Sequence, residues 1–268
     1  MSTAAIAASV RAGLCARADA TVREKLATVV PGARVMGVKV PELRAFASEL
    51  RAAHRALPLE AMCDVMDALA ASGVREEVLI GTFWLARYGK SLEELRWSRI
   101  ARWLPALDNW ETCDQLAMGV VARAVDGDPA RIRGLQRLTA ARSEWMRRFA
   151  LATASGLNQK GRSHVPETLA LCAPLLDDPS ANVRKAVGWA LRQASQKDAA
   201  AVEAFLASHL ARTHRTVLRE GSEKLPATRR EVLMRRAAAG AGAGKGAAAT
   251  TTPARSRRRP PSAPRRRS

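Results

Sequence analysis

Residues 177–192 read Asp177-Asp-Pro-Ser-Ala-Asn-Val-Arg-Lys-Ala-Val-Gly-Trp-Ala-Leu-Arg192. The Asp-Pro step makes a turn, because the proline ring fixes φ and its neighbour is held out of the helical region. Val183-Arg184 then begins a helix that carries Ala190-Leu191 inward. The same pattern recurs upstream. Met146-Arg-Arg-Phe-Ala aligns with Val183-Arg-Lys-Ala-Val at an offset of 37, and Glu144-Trp-Met-Arg-Arg-Phe-Ala-Leu-Ala aligns with Asn109-Trp-Glu-Thr-Cys-Asp-Gln-Leu-Ala at an offset of 35. Periods of this length mark stacked helix pairs, each burying an apolar stripe on its neighbour. Such a stack curves, and the second helix of each pair lines the concave side. An ordinary helical bundle is the alternative; the offsets favour the solenoid, and the length suits one curved domain of about six pairs.

Outward from this repeat the chain reads as helix almost throughout. Expected helices cover Val40–His54, Pro58 to about Ser72, Val74–Tyr88 (closed by Gly89), a run opened by a capping box at Ser91-Leu-Glu-Glu, Asn109–Val125, Asp128–Ala141, Glu144–Leu157, Pro166–Leu176, Ala181–Ser195, Asp198–Leu210 and His214–Leu225. The links are short and carry Asp, Pro, Gly or Ser. Only Arg34–Val40 (RVMGVKV) alternates like a strand, and it is too isolated to build a sheet.

The chain has 268 residues and a formal charge of +19, from 44 Lys+Arg against 25 Asp+Glu. Eight of the cations are Lys, so arginine dominates. With 47% apolar residues a real core is expected, and no stretch approaches the roughly 18 continuous apolar residues of a membrane helix. The N-terminus lacks a basic segment followed by a long apolar block, so a secretory signal is not expected. Cys15, Cys63, Cys113 and Cys172 are spread along the chain with no CxxC and no Cys/His cluster. That spacing argues against zinc and disulfide frameworks and suits a reducing cytoplasm. His54, His164, His209 and His214 are scattered and suggest no role.

From Ala237 the composition changes to Ala, Gly, Pro, Thr and Arg. Residues 237–268 carry eight positive charges and no acid, leaving +11 on residues 1–236. The expectation is a repeat domain over 1–236 and a disordered basic tail over 237–268, since Gly, Pro and like charges bury no core. Two uses fit the tail: a flexible arm that attracts polyphosphate, or a solubilising segment. The charge on the body favours a polyanionic partner, because each phosphate neutralised releases counterions. Arg-rich coding alone is the competing explanation.

Asp108-Asn-Trp-Glu-Thr-Cys-Asp114 is the segment richest in chemistry. Trp110 and Asp114 are i and i+4 on one helix face, with Glu111 pointing elsewhere. A carboxylate beside an indole is partly desolvated and suited to a developing cation. The structural alternative is a core Trp110 with a solvated or paired Asp114. Arg148 begins the next inner helix, and Trp189 follows Gly188 on the one after. In a solenoid these three inner helices are neighbours, so two indoles, a carboxylate and a guanidinium can converge. Taken singly, Arg148 suits a surface charge and Trp189 the core. Gly188 permits close approach of backbone or ligand.

The set Gly37-Val-Lys-Val-Pro-Glu-Leu-Arg44, Trp110-Glu-Thr-Cys-Asp114, Trp145-Met-Arg-Arg148-Phe-Ala, Arg184-Lys-Ala-Val-Gly-Trp189-Ala-Leu-Arg192 and Leu218-Arg-Glu-Gly-Ser-Glu-Lys-Leu225, in this order over roughly residues 20–226, resembles the AlkD-like DNA alkylation repair family, the HEAT-like alkylpurine DNA glycosylases. The resemblance implies an all-α fold, a right-handed α-α superhelix (solenoid) of HEAT-like helix pairs whose basic concave face cradles double-stranded DNA carrying alkylated bases. It implies hydrolytic excision of N3- and N7-alkylated purines by a monomer without metal or organic cofactor, in the cytoplasm at the nucleoid. By position, Asp114 matches the catalytic carboxylate, Trp110 and Trp189 the aromatic walls, and Arg148 a phosphate-contacting arginine. Two departures bear on substrate range. Lys25–Val30 (KLATVV) lacks the aromatic that the family often places toward the lesion, and Phe149-Ala-Leu-Ala-Thr-Ala-Ser replaces the usual pattern after Arg148. Some members lack the carboxylate; this chain keeps it.

The chemistry is reasonable on physical grounds. An N3- or N7-alkylated purine is already cationic and leaves readily, so the protein has to stabilise the oxocarbenium sugar and orient water. Three functions stand as alternatives: a monofunctional alkylpurine glycosylase, a non-catalytic protein that binds damaged or distorted DNA, and a protein-binding scaffold whose charge is incidental. The retained Asp114 favours the first over the second. The shared Trp, Asp and Arg positions favour both over the third.

Overall fold

Ser2, Asp19, Asn109, Ser180, Asp198 and His214 each accept a backbone N–H from the first turn of the helix that follows them. Such caps satisfy donors that the helix itself leaves unpaired. The computed structural model describes residues 2–247, and its helices are α1 (Thr3–Cys15), α2 (Ala20–Val29), α3 (Val40–Ala53), α4 (Leu59–Ala70), α5 (Arg75–Leu85), α6 (Trp97–Trp103), α7 (Trp110–Leu116), α8 (Ala122–Gly127), α9 (Ile132–Thr139), α10 (Glu144–Gly156), α11 (Val165–Cys172), α12 (Ala181–Ser195), α13 (Ala199–Ser208), α14 (Arg215–Gly221) and α15 (Ala227–Ala247).

Two rows of helices result. In the inner row α3 packs on α5, α5 on α7, α7 on α10, α10 on α12 and α12 on α14. In the outer row α1 packs on α4 and α4 on α6, then α9 on α11, α11 on α13 and α13 on α15. One continuous apolar core, from Ile6 in α1 to Leu233 in α15, fills the space between the rows. The fold is therefore the all-helical repeat stack read from the offsets, with six inner helices among the described residues, each the second member of a pair. Among the described residues no helix is long and apolar enough to cross a membrane.

Some local expectations change. The capping box at Ser91 starts no α-helix. Residues Ala86–Glu94 form 3₁₀ turns, broken at Gly89, and the α-helix restarts at Trp97. Leu92 within these turns is buried, and Leu95, buried just beyond them, has extended backbone. The strand-like RVMGVKV is extended but makes only an isolated bridge between Arg34 and Val74. In place of a neighbouring strand, the buried Glu76 carboxylate accepts the N–H groups of Met36, Gly37 and Val38 at 2.9, 3.0 and 3.3 Å. Gly37 has φ 100° and sits so close to the start of α2 that a Cβ would lie 2.2 Å from the Asp19 carbonyl. Part of the segment expected to be a disordered tail is helical. α15 continues through residues 237–247, rich in helix-forming alanine, and residues 248–268 lie outside the described part of the chain.

Candidate active site

The site is built from the start of α7. The Asn109 side chain accepts the N–H groups of Glu111 and Thr112 at 3.0 and 3.1 Å, a cap of about 1 kcal/mol, and Asn109 is itself buried. This cap fixes where the helix starts. Glu111 turns inward and accepts Nε of buried Arg75 at 2.6 Å, while Arg75 also holds Glu76 at 3.0 Å. With one end anchored in that buried network, Trp110 projects outward. It is 36% exposed, and its Nε1 donates to the Val29 carbonyl at the end of α2 at 3.2 Å.

One turn further, Asp114 faces α10. Arg148 donates Nε to Asp114 Oδ1 at 2.9 Å and Nη2 to Oδ2 at 2.7 Å, a planar two-point fork. Its Nη1 donates to the Asn182 carbonyl in the first turn of α12 at 2.8 Å. One guanidinium thus ties together α7, α10 and α12. The Asp114 side chain keeps 13% of its surface open, against 9% for Arg148. Burial pushes the Asp114 carboxyl upward from its ordinary value, and Arg148 pulls it back in part. Neighbouring Cys113 is buried, donates Sγ–H to the Trp145 carbonyl at 3.2 Å, and has its thiol pushed well up by burial. It is therefore a packing group and not a nucleophile. Just beyond, Ala117–Val121 form a π-helical turn that joins α7 to α8. Such turns re-phase a helix, often beside functional residues.

Trp189 lies on α12 seven residues beyond Asn182, two turns along, and is half-buried against the core. Among the described residues its ring makes no stacking or cation–π contact with Trp110, Asp114 or Arg148. Direct contact therefore unites Asp114 and Arg148, with Trp110 one turn away. Gly188 is explained by packing: a Cβ there would lie 2.7 Å from the Glu220 Cβ on α14, so its role is close approach of helices. Among the described residues no group of three or more His, Cys, Asp or Glu is placed to hold a metal ion.

Sequence reasoning missed Arg75, Glu76 and the Asn182 carbonyl as parts of this neighbourhood. Asn109, two residues before Glu111, carried a legible cap signal. A charged triplet at 75–77 in an otherwise apolar run hinted at a buried network, but nothing local identified its partners.

The arrangement has definite chemical capacity. Each carboxylate oxygen has two lone pairs, and the Arg148 fork uses one on each, so Asp114 can still accept from water or face a developing cation. An open indole beside it adds a surface attractive to positive charge.

The family model described as DNA alkylation repair enzyme matches residues 10–225. Among solved structures, a predicted DNA alkylation repair enzyme from Enterococcus faecalis superposes with a TM-score of 0.65 at 18% identity, covering 79% of this chain and 98% of that one. At that identity the likeness speaks to the fold alone. No curated protein matches the chain.

Proposed function

This chain belongs to the DNA alkylation repair enzyme family, and from that premise we propose that it is a monofunctional DNA glycosylase acting on N3- and N7-alkylated purines in duplex DNA. The observation that carries the proposal is the Asp114 carboxylate, oriented by Arg148 from the next inner helix and still partly open beside exposed Trp110.

In this mechanism the C1′–N bond breaks and its electron pair leaves with the base, neutralising the alkylated purine. Positive charge grows on C1′ and the ring oxygen. Asp114 offsets that charge at a position fixed in advance, where no reorganisation is needed as the charge develops. Water then forms the C1′–O bond from the side that Asp114 can reach and passes its proton to the carboxylate and on to solvent. Trp110 and Trp189 are assigned the walls around the sugar, with cation–π attraction of about 1–2 kcal/mol for a desolvated indole. Arg148 keeps the carboxylate in place and ionised. The reaction requires no metal or organic cofactor, and excision would begin base excision repair.

The test is Asp114→Asn on duplex DNA holding a single 7-methylguanine. Base release should collapse while duplex binding persists; release at the parent rate would refute the assignment. A second reading has one observation in its favour. The two-point fork also suits a purely structural ion pair, in a protein that binds damaged DNA without cutting it. That reading expects salt-sensitive binding and no base release from the unsubstituted chain.

A further inference from the structure

Arg148 is a poor candidate for gripping phosphate. Three of its five N–H groups are committed to Asp114 and Asn182, and the residue is only 8% exposed. Two other arginines sit nearby in the opposite condition. Arg44 leaves α3, crosses over α5 with its guanidinium 4.1 Å above the Phe83 ring, and donates Nη2 to Gln115 Oε1 on α7 at 2.9 Å. Helix α5 lies between α3 and α7 in the inner row, so a side chain spanning from one to the other rests on the face of that row turned away from the outer helices. Gln115 adjoins Asp114 in sequence. Arg87, just after α5, donates Nη2 to the Arg44 carbonyl at 3.2 Å and to Ser48 Oγ.

Both arginines are exposed. Among the described residues neither forms an ion pair with a carboxylate. Their anchors are a ring, an amide oxygen, a hydroxyl and a carbonyl, all neutral. Two cations are thus held on neutral anchors, the Arg87 guanidinium at the Arg44 backbone and the Arg44 guanidinium over Phe83, with their charge uncompensated and N–H groups to spare, a setting that favours anions with several oxygens.

We propose that Arg44 and Arg87 form a phosphate clamp that grips the backbone of duplex DNA on the α3 side of Asp114, and that Arg148 is a positioning residue. The clamp rests on the proposed nucleic-acid function for the identity of its ligand. It divides the work between two kinds of arginine: one neutralised and buried to aim the carboxylate, two unneutralised and open to set the register of the strand.

The experiment measures binding of an unmodified duplex oligonucleotide by fluorescence anisotropy over roughly 50–200 mM KCl, where phosphate contacts dominate the salt dependence. The slope of log K against log[KCl] should become shallower by about 1 for Arg44→Gln and by about 2 for Arg44→Gln with Arg87→Gln. The double Arg→Lys variant should return the parent slope, which a misfolded chain would not. A parent slope retained by the double Gln variant, a Lys variant that fails to restore it, or a parent chain that does not bind duplex would each overturn the clamp. Base release from the same duplex carrying 7-methylguanine is followed separately. Its absence would count against the glycosylase reading while the slopes still decide the clamp.

Discussion

The guanidinium of Arg148 and the carboxylate of Asp114 meet in two parallel hydrogen bonds, 2.9 and 2.7 Å long, across the junction of two neighbouring inner helices. A fork of this kind fixes distance and plane together, which a single point charge does not do. Its value to a reaction lies in holding the carboxylate where charge will develop.

Arg148→Lys should therefore preserve the charge and lose the aim. Base release is expected to fall on the order of 10²-fold, the penalty of displacing a catalytic group by about an ångström. Arg148→Gln should fall further and also lower the melting temperature, because it strands a largely buried carboxylate. Single-turnover kinetics with thermal melts would separate the two effects; equal rates for Lys and Arg at position 148 would show that charge alone suffices.

The Asp114 carboxyl is raised above the 3.8 of an unperturbed aspartate, first by desolvation, with Arg148 opposing through its hydrogen bonds and its charge. A raised carboxyl binds its proton more tightly in the folded chain. Ionisation of Asp114 thus costs stability as pH rises through the folded value, and protonation relieves that cost at lower pH. Activity runs the other way, since only the anion offsets an oxocarbenium ion. The rate of base release should fall on the acid side with a midpoint above 3.8, and Arg148→Gln should move that midpoint higher. A pH–rate profile for the two proteins checks this; coincident midpoints would assign the limb to another group.

At the α12–α14 contact, Gly188→Ala should destabilise by about 1–3 kcal/mol, the usual cost of overpacking. The added Cβ would lie 2.7 Å from the Glu220 Cβ, and neither helix can shift freely within the stack. Denaturant unfolding gives the number. A neutral substitution would mean that the two helices separate easily and that the inner row is softer than its packing indicates.

For the basic C-terminal segment the structure moves the informative cut. Ending the chain at Arg236 would remove Ala237, which packs against the core. Ending it at Ala247 leaves α15 whole and deletes seven arginines. The chain cut at Ala247 should bind duplex DNA more weakly than the full chain at low salt, with the difference closing as salt rises. Equal salt slopes for the two chains would assign those arginines no part in binding.

Much of this was legible from residues a few positions apart. The Asp178-Pro179 turn placed α12 at Ala181–Ser195, as observed. Trp110 and Asp114 share a face because four residues make one turn, whatever surrounds them. Ser91 misled because its capping pattern is real in sequence, yet the segment it opens runs to Glu94 as 3₁₀ turns with Leu92 buried among them. Arg34–Val40 builds no sheet, as its isolation implied; what the sequence did not report is that its extended backbone finds its partner in the Glu76 side chain.

What the amino-acid order settled alone is the helical repeat, the basic charge, and the common face of Trp110 and Asp114, all consequences of spacing within a turn or of a repeat within the chain. The three-dimensional packing decided which arginine neutralises Asp114 and which ones stay open. Arg148 lies 34 residues from Asp114, and Arg44 lies 71 from Gln115. Those pairings depend on the angle and phase at which one helix rests on the next. That phase is set by the sum of core contacts along the whole interface and is written in no short stretch of the chain.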